Sequence, residues 1–317
     1  MVLRIFFSVD VHGSTLVWRK WLRAVEMYNA NALILAGDLT GKVLVPIINR
    51  KDDFYTAKYF GRVWELRGEE EVKRFEEKLE GAGAYFIRVD EKELEELKNS
   101  PEKVNRIIIE KMIERLRNWL ELLVNKVNTK EIITVVMPGN DDEYVIDEVI
   151  KEYSDRGVIY PIDRVVELKG VEMFSCPYVN PTPWNTPREM KEGDLEKYLE
   201  RQISKLKDPS KSIFNIHPPP YNTHLDLAPK LTKDLKPVVI AGAVQYEHVG
   251  SKAVRKVIEK YQPLIGLHGH IHESGGMDKI GKTIVVNPGS EYSEGVLKGY
   301  IIEIDQGRLI NYWKVEG

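Results

Sequence analysis

Five stretches of the sequence carry side chains that bind metal ions: Asp10-Val11-His12, Gly37-Asp38, Gly139-Asn140-Asp141-Asp142, His217 and Gly269-His270-Ile271-His272. Each closes an apolar run: RIFFSV, ALILAG, EIITVVMPG, SIFNIH or LIGLHGH. Short β-branched runs ended by Gly or Pro read as buried strands. On extended backbone, residues two apart point to the same side, so Asp10 with His12, and His270 with His272, each face one site. Ligands of open α/β sheets gather at the carboxyl ends of strands, and five such ends are therefore expected to share one polar cleft. These donors exceed the three or four protein ligands of one catalytic zinc and suffice for two divalent ions bridged by a carboxylate. Nitrogen and oxygen donors without thiolate suit Mn²⁺, Fe or Zn²⁺, with Ni²⁺ a further option, better than Ca²⁺ or copper.

In order and content these motifs resemble the calcineurin-like metallophosphoesterases, whose signature runs Asp-x-His, Gly-Asp, Gly-Asn-His-(Asp/Glu), a later His, then Gly-His-x-His. The stretches HPPPYNTHLDLAP, HVGSKAV and NPGSEYSEG resemble more narrowly the Icc-related branch of predicted phosphoesterases. The resemblance implies a four-layer α-β-β-α sandwich with metals at one edge. It further implies that Asp10, His12 and His272 hold one ion, that Asn140, His217 and His270 hold the other, and that Asp38 bridges them. The implied reaction is hydrolysis of a phosphodiester or phosphomonoester, including nucleotides, by in-line attack of a metal-bridging hydroxide.

One position departs from the signature. Where that family has a histidine proposed to protonate the leaving group, this chain has Asp141. An aspartate beside cations stays ionised and is a poor acid. Asp141 is thus a candidate catalytic residue as a water-orienting group or extra ligand, or else an ordinary loop-capping carboxylate. His224 or His248 would then supply the proton or bind substrate, unless the leaving group is acidic enough to need none. His248 precedes Ser251 and a helix start whose amides suit either a phosphate or an ordinary cap. His268, inside an apolar run, reads as structural, Asn287-Pro288-Gly289-Ser290 as a turn near the site, and Cys176 as core.

The elements that must position these residues alternate. Further strands are expected at VEMFSCP, PVVIAG, TIVVNPG and GYIIEID, with helices over 15–30 and 251–261, the latter capped by Ser251, and the pattern is α/β. Residues 42–130 break it. There, Ile108, Met112, Leu116, Leu120, Leu123 and Val127 form one apolar helical stripe, and the segment holds 19 Lys+Arg against 18 Asp+Glu. It reads as a mostly helical insertion in a single phosphoesterase domain. Because it leaves after Asp38 and returns before Asn140, it is expected to cap part of the cleft and to favour small or extended substrates over duplex DNA. Its aromatic stretch FYTAKYFGRVW is either a recognition surface or inward packing.

Composition sets the remaining bounds. With 46 Lys+Arg against 49 Asp+Glu, the net charge of -3 offers no general attraction for nucleic acid or a membrane surface. No apolar run reaches the roughly 20 residues that span a bilayer, and MVLRIFFSVD lacks the sections of a signal peptide, so a cytoplasmic protein without membrane partner is expected. Cys176 is the only cysteine, which excludes an intrachain disulfide and a thiolate zinc site. Four Gln beside abundant Lys and Glu are a weak thermophile signature. The rival functions are a metal-dependent nuclease and a non-catalytic scaffold on the same fold. The apolar C-terminal strands are compatible with a homo-oligomer.

Overall fold

In a computed structural model, which describes residues 2–317, the apolar runs form two six-stranded sheets. The first has the order Arg308–Glu316, Lys298–Asp305, Leu3–Ser8, Ala32–Ala36, Ile133–Met137, Val158–Ile159. Its last four strands are parallel, and the C-terminal pair is antiparallel. The second has the order Gly276–Ile280, Thr283–Asn287, Ile265–Leu267, Ile213–Ile216, Val171–Cys176, Val166–Leu168, with four parallel strands between antiparallel edges.

Alternation along the strands builds the layers. Ile5 and Phe7 face the second sheet and pack with Ile34, Val135, Met173, Ile213 and Ile265, whereas Phe6, Leu33 and Leu35 face outward. The α-helices are α1 (Thr15–Tyr28), α2 (Gly68–Gly81), α3 (Glu91–Lys98), α4 (Pro101–Lys126), α5 (Val145–Lys151), α6 (Glu192–Ile203) and α7 (Lys252–Tyr261). Helices α1, α4 and α5 cover the outer face of the first sheet, where Trp18 stacks on Trp119 at 4.8 Å. Helices α6 and α7 cover the outer face of the second through Leu195, Leu199, Val254 and Val257. The result is a mixed α/β sandwich of four layers, α-β-β-α. No α-helix among the described residues is long and apolar enough to cross a membrane.

The segment between Asp38 and Asn140 differs from its sequence reading in two ways. Besides helices α2, α3 and α4 it holds a four-stranded sheet, ordered Arg62–Arg67, Phe54–Tyr59, Leu44–Lys51, Tyr85–Val89, with a core of Val45, Ile47, Ala57, Leu66, Val72, Phe75 and Leu79. In FYTAKYFGRVW, Tyr59 is buried while Phe60 is 80% exposed at the hairpin turn. Nor does the segment cap the cleft, since Lys42 is the one residue of 42–130 in its wall. It docks behind the site: Arg115 donates to the carbonyls of Gly13 and Ala84, and Ser14 Oγ donates to that of Gly81. The stripe Met112, Leu116, Leu120 and Leu123 is spent on this docking. Another correction concerns PVVIAG, read as a buried strand. Val239 and Ile240 form one arm of an exposed hairpin, 57% and 59% accessible.

Candidate metal centre

All the strands followed by motif residues end at one edge of the sandwich. Two groups of side chains meet there, Asp10 with His12 and His272, and Asp38 with His217 and His270, the ligand atoms of each group lying within 4.8 Å of one another. His217 Nε2 bridges toward both, 3.7 Å from Asp10 Oδ1 and 3.4 Å from Asp38 Oδ2. His12 Nε2 lies 3.0 Å from His272 Nε2 and 3.7 Å from Asp38 Oδ2. Asn140 turns its Nδ2 to Thr186 Oγ1 at 3.0 Å.

Local backbone geometry makes this convergence possible. Asp10, His12, Asp38 and His270 all have φ between 39° and 69°, a left-handed conformation that non-glycine residues seldom adopt and that concentrates at functional sites. The loops after the first two strands lie side by side, the amides of Asp10 and His12 donating to the carbonyls of Gly37 and Asp38. Gly37 is required here. A Cβ on it would sit 2.1 Å from His217 Nδ1, and its φ is +107°. A Cβ on Gly139 would meet Asp38 Oδ1 at 2.2 Å.

A second ring of contacts aims the donors. His217 Nδ1 points to the Ala36 carbonyl at 3.3 Å, which fixes a proton on Nδ1 and leaves Nε2 as the nitrogen that can bind a metal once its own proton is lost. Asp10 Oδ2 accepts from the His270 amide, and Asp38 Oδ1 from the Asp141 amide, both at 2.9 Å. Ser290, in the turn read near the site, donates to the Asp10 carbonyl at 2.6 Å, and Asn287 to that of Ile271 at 2.9 Å. Buried His268 donates from Nδ1 to the carbonyls of Ile216 and Pro218, in the structural place expected of it.

Asp142 stands in the third motif, but its role was not read from the sequence. Fully buried, its carboxylate accepts from the amides of Leu39, Thr40 and Gly139 and from Thr40 Oγ1, tying the second and third motif loops together. Its place three residues after Gly139 is the signal that was there to read.

Among the buried side-chain atoms without a hydrogen-bond partner are three that belong to candidate ligands: Asp10 Oδ1, Asn140 Oδ1 and His217 Nε2. Buried polar atoms are normally paired, and each of these is of a type that can serve as a metal donor. Electrostatics point the same way. Burial pushes the Asp10 carboxyl up to about 7. Burial also disfavours charge on His217, yet the Asp38 and Asp10 carboxylates raise it to about 9. Burial and neighbouring imidazoles hold His270 down at about 4 and His272 at about 3. Unpaired carboxylate and imidazole donors in a dry site are costly alone and satisfied by cations. The two groups could hold a dinuclear metal site.

The cluster opens into a cleft of about 1240 Å³ lined by His12, Asp38, Asn140, Asp141, His270 and His272 at its floor. Asp141 is ion-paired with Lys42, and its Oδ2 stands 3.9 Å from His12 Nδ1. His248 also lines the cleft, its Nδ1 2.8 Å from Oδ1 of the buried Asp226. His224 does not: it is exposed, its amide bonded to Asp278. The amides at the start of α7 are occupied as well, since Glu192 accepts from Lys252 and Ala253, and Ser251 Oγ caps Val254. The capping role accounts for them, and no free amide pair receives a phosphate there.

No protein-family model matches the chain. The uncharacterized protein MJ1162 of Methanocaldococcus jannaschii is 36% identical over 187 residues, covering 57% of this chain and 69% of that protein. One crystal structure is similar over 98% of both chains at a TM-score of 0.57 and 17% identity. TT1561 of Thermus thermophilus is similar over 100% of this chain and 99% of its own, at a TM-score of 0.53 and 15% identity. At these identities the structural likeness is one of fold. The chain belongs to the family of MJ1162, and its four-layer sandwich is the fold implied by the resemblance of its motifs to the calcineurin-like metallophosphoesterases.

Proposed function

We propose that this protein is a phosphoesterase working with two divalent metal ions, Mn²⁺ being the best match to its donors and Fe, Zn²⁺ or Ni²⁺ the alternatives. Asp10, His12 and His272 would hold one ion, Asn140, His217 and His270 the other, with Asp38 shared. Three partnerless buried donors, Asp10 Oδ1, Asn140 Oδ1 and His217 Nε2, carry this reading. Bound ions supply Lewis-acid stabilisation of a phosphoryl group and water activation at neutral pH.

The chain's own residues do the rest. Asp38 stays anionic against its burial because His217 and His12 flank it, so a carboxylate whose Oδ2 faces both imidazoles stands between the two groups. Lys42, held by Asp141 at the mouth of the cluster, keeps ammonium donors for an anionic phosphate. The carboxylates of Glu192, Glu247 and Glu273 in the cleft wall repel a long polyanion, which favours a small phosphodiester or phosphomonoester over nucleic acid.

The test is hydrolysis of bis(p-nitrophenyl) phosphate by chelator-stripped protein refilled with Mn²⁺, Ni²⁺, Zn²⁺ or Mg²⁺, with Asp38→Ala as control. Activity that returns with metal and is lost in the variant supports the proposal. Activity independent of metal, or untouched in Asp38→Ala, counts against it.

A further inference from the structure

Beyond the metal ligands, the cleft carries a feature that bears on what the phosphate is attached to. Trp184 lies in its wall and is 61% exposed, although tryptophan is ordinarily among the most buried side chains. Its loop is held tightly. The Glu189 carboxylate accepts from the amides and hydroxyls of both Thr182 and Thr186, and Trp184's own amide donates to Thr182 Oγ1. Pro181 and Pro183 stiffen it further.

That loop is built onto the candidate metal centre. Thr186 Oγ1 accepts from the Nδ2 of Asn140, so a candidate ligand whose buried Oδ1 has no partner is bonded to the loop that carries the indole. At its other end, Asn180 Nδ2 donates to the Val249 carbonyl, beside His248. The cleft is thus lined by the Asp/His cluster, by Trp184 and by the edge-to-face pair of Tyr221 and His248, whose ring centroids are 5.9 Å apart. A volume of about 1240 Å³ far exceeds a phosphate group and lies above the usual range of small-molecule sites, which ends at about 1,000 Å³. A preordered, solvent-facing indole beside a phosphate-sized floor is a stacking platform lacking its partner, and stacking of a base on such a ring is the usual way proteins gain affinity for nucleotides without reading sequence.

We infer that the substrate is a phosphate ester bearing a planar aromatic group of nucleobase type, whose ring stacks on Trp184 while its phosphate sits over the Asp/His cluster. This rests on the proposed phosphoesterase reading and names the substrate class of that site. Trp184 sets specificity and takes no part in the bond-breaking step.

Calorimetric titration of Mn²⁺-loaded protein with adenosine 5′-monophosphate and with ribose 5-phosphate tests it. The two ligands share the phosphate and sugar and differ in the ring. We expect the wild type to bind the nucleotide at least about ten-fold more tightly, Trp184→Ala to bring the ratio to about one, and Trp184→Phe to keep most of it. Equal affinities in the wild type, or a ratio unmoved in Trp184→Ala, would overturn the inference while leaving the phosphoesterase proposal standing. Failure to bind either ligand would overturn the inference, and the phosphoesterase proposal would then be decided by hydrolysis of bis(p-nitrophenyl) phosphate. Circular dichroism of Trp184→Ala confirms that a lost ratio is not a lost fold.

Discussion

The Nε2 atoms of His12 and His272 face each other at 3.0 Å, with Asp38 Oδ2 3.7 Å from the former. Two protonated rings are excluded at that separation, and burial together with His12 holds His272 down at about 3. The arrangement gains most when both lone pairs share a cation.

Metal uptake should therefore depend on pH in a definite direction. Asp10 keeps its proton up to about 7 and His217 up to about 9 in the metal-free protein, both above their ordinary values. These raised values stabilise the metal-free fold at low pH, and that contribution is lost as pH rises through them. Metal must expel the protons, so affinity should climb between about pH 6 and 9, with at least one proton released per chain at pH 7. Calorimetry in buffers of different ionisation enthalpy counts them. Affinity independent of pH with no proton release would contradict this picture of the cluster.

Gly37→Ala should disable the site more than it unfolds the protein. The added methyl meets the His217 ring at 2.1 Å, at a φ of +107° that an L residue pays roughly 1–3 kcal/mol to adopt. Expected are a Tm lower by several degrees and a metal affinity reduced at least ten-fold. Metal binding at wild-type strength would show that the loop relaxes away from His217.

Asp142→Ala should be among the most damaging single changes outside the ligands. It strands the amides of Leu39, Thr40 and Gly139, and each unsatisfied buried donor costs about 1–3 kcal/mol. A loss of about 3 kcal/mol or more in urea unfolding is expected, with Asp142→Asn milder. A change below about 1 kcal/mol would mean water replaces the carboxylate.

The engagement of Asp141 with Lys42 predicts a bias in leaving groups. A carboxylate spent on an ammonium does not serve as a proton donor, so aryl phosphodiesters with good leaving groups should be cleaved well and alkyl esters poorly. Lys42→Met should raise KM for aryl esters several-fold. Equal rates for aryl and alkyl esters would place an unrecognised acid in the cleft.

Cys176 offers a check on the packing of the second sheet. It is fully buried, and burial pushes its thiol up to about 12. A thiol reagent at pH 8 should modify it only after unfolding, whereas rapid labelling of native protein would reveal an open path between α6 and the sheet.

Much of the centre is legible in the sequence because its ligands follow the apolar strands Leu3–Ser8, Ala32–Ala36, Ile133–Met137, Ile213–Ile216 and Ile265–Leu267, whose Gly-marked ends fix where the chain turns. Less legible are elements whose hydrophobicity does not track burial. PVVIAG is apolar yet exposed at a hairpin, while RLINYWKVE is half polar because it is an edge strand with one face in solvent. The sheet of the insertion was hidden in part because FYTAKY and RVWELR mix aromatic, polar and charged residues, and only LVPII in it is a plain apolar run. Trp184 and Lys42 were invisible as cleft residues, since loop geometry alone brings them to the site. The expectation that the insertion caps the cleft failed on a physical point: leaving the chain beside the ligands says nothing about which side of the sandwich offers an apolar face. The face available was the one bearing Trp18 and Trp21.

The most direct test of the central claim is a count of ions. Chelator-stripped protein, titrated with Mn²⁺ under equilibrium dialysis and assayed by elemental analysis, should take up two ions per chain, and Asp38→Ala should fail to hold the pair at the same free concentration. No uptake by the wild type, a single ion at saturation, or an Asp38→Ala variant that binds two ions as tightly as the wild type would contradict a dinuclear centre bridged by Asp38.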